Sequence, residues 1–142
     1  MDVIEMTPAQ AAIVDAVSLM VVIDDVLDPE EYEFLTIMLM TMMDLDEDVA
    51  VALLENSLER LHGAEADTFI KAVVERISSQ RDQFQLMVGL FMASMADGKV
   101  LKVELGLLQR FIDDLELSLE TVRSAEARAV DLYTQATTAY EA

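Results

Sequence analysis

The sequence predicts an all-α protein, a compact bundle of about seven helices, and three observations carry that reading. Apolar residues recur at three- and four-residue spacing in one segment after another. Most of these segments open or close on a recognisable capping or turn signal. No window alternates polar and apolar residues with β-branched enrichment, as a half-buried strand does. The 142 residues, 54% hydrophobic and 26% charged, suit one domain over 1–142 with a core of its own.

Thr7-Pro8-Ala9-Gln10 reads as an N-cap, a first-turn proline and a capping-box glutamine. It opens a helix with Ile13, Val14, Val17, Met20 and Val21 on one face. Asp28-Pro29-Glu30-Glu31 repeats the same logic, and Phe34, Leu35, Met38, Leu39 and Met42 continue it. Asp46 caps a third helix through Val49, Leu53, Leu54, Leu58 and Leu61, closed by His62-Gly63. A fourth runs from about Ala64 to Ile77, and Ser78-Ser79 marks a break or kink after it. The fifth carries Phe84, Met87, Val88, Phe91, Met92 and Met95 up to Asp97-Gly98. The sixth spans roughly 101–116 with Leu107, Leu108, Phe111, Ile112 and Leu115. Ser118 caps a seventh through Val122, Ala125, Ala129, Leu132 and Tyr133.

Composition narrows the chemistry. Without cysteine there is no disulfide framework, no thiolate nucleophile and no sulfur-ligated metal. The one histidine, His62, sits at a helix end, where a capping imidazole explains it. The apolar runs at 17–23 and 86–96 fall well short of the roughly 20 residues a membrane span needs. The N-terminal MDVIEM lacks the basic region of a secretion signal, so a soluble cytoplasmic protein is expected. The net charge of −19 is lopsided, −15 over residues 1–73 and −4 over 74–142. Such a field repels nucleic acid and anionic membrane surfaces, and favours cations or a basic protein partner.

A shift of 73 positions superimposes the two halves. Asp24 falls on Asp97, Glu31 on Glu104, Phe34 and Leu35 on Leu107 and Leu108, and Met38 and Leu39 on Phe111 and Ile112. Each copy reads helix, tight Asp turn, helix, cap, helix, so the bundle is expected to contain an internal pseudo-twofold duplication.

At these residues the chain resembles the TerB-type tellurite-resistance domain, also found as a module beside J-domains in membrane-anchored co-chaperones. The resemblance lies in MADGKVLKVELGLLQRFIDDLELSLE (95–120), with the degenerate copy IDDVLDPEEYEFLTIMLMTMMDLDED (23–48). It implies a bundle of about seven helices and a carboxylate cluster that holds a divalent metal. It implies a role in stress response or a membrane-associated assembly, not turnover of a substrate. Carried onto this sequence, the metal candidates are Asp24, Glu31, Asp97 and Glu104. The chain departs from the family at Asp25, which replaces the first turn's glycine, and at Leu101, where a capping Ser, Thr or Asp is common.

The spacing can make such a site. On one straight helix, positions seven apart would lie about 10.5 Å apart along the axis. A turn between them lets Asp97 and Glu104 face one gap, with Gly98 as the left-handed residue, and the first copy repeats this with Asp24 and Glu31. Four carboxylates meeting at a pseudo-twofold axis would repel one another unless a cation joined them. All-oxygen ligation favours Ca²⁺ or Mg²⁺. The alternative is plain capping, since Glu31 and Glu104 both stand at the third helical position, where glutamate complements the helix N-terminus.

Two further signals compete. DLDEDVAVALLE (44–55) matches the EF-hand loop at Asp44, Asp46, Asp48 and Glu55 but has Val49 where the loop needs glycine. The methionine run at 38–43 puts Met38 and Met42 on the apolar face of their helix, while Met40 and Met43 lie off it as a soft patch for a partner. The expectation is a non-enzymatic binding module with a divalent cation held between the two Asp-x6-Glu turns. Its rival is a metal-free helical adaptor that binds a basic or apolar protein through the acidic, Met-rich first half.

Overall fold

The computed structural model describes residues 7–22, 29–95 and 102–141. They form seven α-helices: α1 (Pro8–Val22), α2 (Pro29–Met43), α3 (Glu47–Leu61), α4 (Ala66–Arg76), α5 (Gln80–Met95), α6 (Lys102–Asp114) and α7 (Leu119–Glu141). No strand occurs among the described residues, and the chain is an all-α bundle. No helix among them is long and apolar enough to cross a membrane.

The caps are where side-chain chemistry put them. The Thr7 amide donates to Gln10 Oε1 at 3.0 Å and the Gln10 amide to Thr7 Oγ1 at 3.1 Å, a reciprocal box that opens α1. Asp46 accepts from the Val49 amide at 3.3 Å to start α3, and Ser118 accepts from the Thr121 amide at 3.1 Å to start α7. The break at Ser78-Ser79 is complete, because Ser79 Oγ accepts the Asp82 amide and starts a new helix. At the end of α3 the His62 backbone amide, not its exposed ring, donates to the Leu58 carbonyl, and Gly63 takes φ +82°.

Two helices close on a left-handed residue that is not glycine. Asp44 (φ 55°) follows α2, and the next amide, Leu45, reaches back to Met40 O at 3.2 Å. Glu116 (φ 51°) closes α6 in the same way, with Leu117 donating to Ile112 O at 3.0 Å. Both are six-to-one closures that usually recruit glycine at the left-handed position.

α1 and α5 form the centre. Every residue from Ala12 to Val21 is buried, which marks a helix covered on all sides and not one with a single apolar stripe. In α5, Leu86–Leu90 and Met92–Ser94 are buried. The two helices pack on each other; α1 also packs on α3 and α4, and α5 on α7. They run in the same direction. Ile13 and Val17 lie beside Gly89, while residues 7–13 at the start of α1 line the same cavity as 81–85 at the start of α5. A Cβ on Gly89 would stand 3.1 Å from Val17 Cγ2, so glycine sets how near the two backbones come.

The halves correspond in part. α1 packs on α3 as α5 packs on α7. The cap pairs Thr7 and Ser79, Asp44 and Glu116, and Asp46 and Ser118 each stand 72 positions apart, one fewer than the shift that aligns the turns. One residue is therefore gained within α5 and given back within α6. The second helices of the two copies differ most. α2 lies against α3 and α7, with Phe34 and Tyr133 rings 5.4 Å apart, whereas α6 lies against α4 and α5.

Candidate functional site

Of the four carboxylates singled out above, Glu31 and Glu104 are described and Asp24 and Asp97 lie outside the described residues, as do Asp25, Asp28, Gly98 and Leu101. Glu31 is half-buried in the first turn of α2. Glu104 is only 4% exposed in the first turn of α6, and neither glutamate lacks an interaction partner. Because α1 and α5 are parallel, their last described residues, Val22 and Met95, stand at the same end of the central pair. Asp24 and Asp97 each follow two positions later in the sequence. Among the described residues no three His, Cys, Asp or Glu side chains gather into a possible metal site.

A different charged group lies at the heart of the fold, and the sequence reading did not single it out. Asp15, on the central helix α1, has a side chain only 1% exposed. Its Oδ1 accepts Ser57 Oγ at 2.7 Å and Arg60 Nη2 at 2.7 Å from α3. Its Oδ2 accepts Arg76 Nη2 at 2.8 Å from the end of α4 and Arg60 Nη1 at 3.2 Å. Burial alone would push the carboxyl up; the hydrogen bonds from Arg60, Arg76 and Ser57 outweigh it and hold Asp15 below the ordinary aspartate range. The same contact raises Arg60. The arrangement ties α1, α3 and α4 together and leaves no oxygen turned toward a ligand, so it holds the fold in place.

The signal that could have found it was a polarity defect. Asp15 interrupts the apolar residues on both sides of it, and an acid on a helix buried all round needs a cationic partner.

The surface carries a second kind of tie and several grooves. Arg110 on α6 bridges Asp67 on α4 and Asp114 on its own helix, each at 2.8 Å. The hydrogen bond from Arg110, helped by its charge, lowers Asp67. A groove of about 290 Å³ runs between α2 and α3, lined by Tyr32, Glu33, Thr36, Ile37, Met40, Glu47 and Val51. Beside it Tyr32 donates to Glu55 Oε1 at 3.1 Å, and burial followed by that carboxylate raises the phenol. Met40 and Met43 are half-buried. The EF-hand-like stretch is no loop: Asp46 caps α3 and Glu47 to Glu55 are helical.

These features define an acidic, all-helical bundle with a central parallel pair. Comparison with family models, with curated proteins and with solved structures gave no match.

Proposed function

We propose that the chain is a non-enzymatic TerB-like binding module, working in stress response or a membrane-associated assembly, in which Ca²⁺ or Mg²⁺ joins the two Asp-x6-Glu turns. The observation that carries this reading is the parallel pairing of α1 and α5. It brings the ends from which both acidic turns depart to one side of the bundle. An antiparallel pair would have sent them to opposite ends. The donors would be Asp24, Glu31, Asp97 and Glu104, an all-oxygen set that suits a hard cation. The cation's work would be to hold the two halves in one arrangement and so fix the surface offered to a partner.

The test is thermal unfolding with Ca²⁺, Mg²⁺ or EDTA. A cation at about a hundred times its Kd adds about 2.7 kcal/mol of stability, which raises Tm by roughly 5–10 °C in a chain of this size. The double variant Asp97→Asn/Glu104→Gln should keep its fold and lose that rise. A Tm indifferent to millimolar cations, or an equal rise in the double variant, refutes the proposal.

A further inference from the structure

We infer that the groove between α2 and α3 is a docking site for a basic amphipathic helix from another protein. The two helices form an antiparallel hairpin in register: Tyr32 meets Glu55 at one end, and Met40 and Glu47 line the groove at the other. Tyr32, Ile37, Met40 and Val51 form a half-exposed apolar floor, and Glu33 and Glu47 stand beside it. From Tyr32 to Met40 the floor extends about 12 Å at 1.5 Å per residue. That length accepts two turns of a helix presenting apolar anchors at i, i+4 and i+7.

Charge chooses the occupant. No lysine or arginine occurs between residues 29 and 59, none lines the groove, and Arg60 at the end of α3 is bonded to Asp15. The chain's charge of −19 repels a second copy, a nucleic acid or an anionic membrane, and attracts Lys- or Arg-bearing protein segments. The groove also has the adaptable methionine that tolerant helix-binding surfaces use. This inference does not depend on the cation, because the groove uses none of the four candidate ligands.

The experiment measures fluorescence anisotropy of three labelled 16-residue peptides on the whole chain, in EDTA and physiological salt. One peptide carries leucine at i, i+4, i+7 and i+11 with lysines elsewhere, one has the same composition scrambled, and one replaces lysine with glutamate. The first is expected to bind at least about tenfold more tightly than the second, and the third not at all. Met40→Gln/Val51→Gln should weaken binding about tenfold, as should the rim pair Glu33→Lys/Glu47→Lys, whose changes leave the apolar floor intact. Val130→Gln, in the separate groove between α5 and α7, should change it less than about twofold. Equal binding of ordered and scrambled peptides, unaltered binding by both groove variants, or an equal loss in Val130→Gln overturns the inference. Because every arm contains EDTA, failure here and failure of the cation reading are separate results.

Discussion

Replacing Asp15 with alanine should unfold the protein more readily than any single change to its partners. The substitution leaves the Ser57 hydroxyl, 0% exposed, without its acceptor, a loss of about 1–3 kcal/mol. It also removes the carboxylate from two guanidiniums. Breaking a buried pair from one side costs about 3–5 kcal/mol when the remaining charge is trapped. Here the charges are not fully trapped, since the Arg60 and Arg76 side chains are 49% and 28% exposed and can turn toward water. Water relieves much of that charge cost, so the two losses together come to about 3 kcal/mol, against a total stability of about 5–15 kcal/mol for a domain of this kind. The loss should lower Tm by roughly 10 °C. Urea unfolding followed by far-ultraviolet circular dichroism measures it as a change of midpoint at constant slope. Arg60→Ala should cost less, because Asp15 then keeps Arg76 and Ser57. If Asp15→Ala costs under about 1 kcal/mol, or less than Arg60→Ala, the network does not hold α1, α3 and α4 together as argued.

The same residue sets a pH dependence. Its folded pKa lies below the ordinary 3.8, so its stabilisation is complete above that value and is lost as pH falls below it. The stability gap between the wild type and Asp15→Asn should therefore be constant from pH 7 to about 5 and narrow below pH 4, as read by urea titrations across that range. At Gly89 the neighbouring methyls at 3.1 and 3.4 Å leave no room for a long side chain, so Gly89→Leu should destabilise by about 3 kcal/mol in thermal unfolding. Glu116→Gly should do the opposite, raising stability by about 0.5–1 kcal/mol through relief of the left-handed backbone at φ 51°. A Tm unchanged or lowered by that glycine would show that the closure of α6 carries no strain.

Local chemistry was legible before any coordinates. Thr7 with Gln10, Asp46 with Val49 and Ser118 with Thr121 bond as the capping rules require, because each motif acts within four residues and owes nothing to the rest of the fold. The helices themselves followed from periodicity, with α4 and α6 slightly shorter than expected at Ala66–Arg76 and Lys102–Asp114. Contacts between distant segments were not legible. Asp15 meets Arg60 and Arg76 across 45 and 61 positions, and no spacing rule links them. The different seats of α2 and α6 were hidden for the same reason. Similar apolar patterns in the two copies specify a buried face without saying which neighbour covers it. The Asp-x6-Glu recurrence follows α1 and α5, two helices that share a direction, but Asp24 and Asp97 themselves lie outside the described residues.

α7 has a consequence for how the polypeptide reaches its final form. At 23 residues it is about 34 Å long, and it lies along both α5 and α2. During synthesis α1, α3 and α4 can already be locked by their aspartate and arginines, yet α2 and α5 must wait with apolar flanks uncovered until α7 has been made and released. That interval is when a nascent chain of this kind is open to aggregation or to a chaperone.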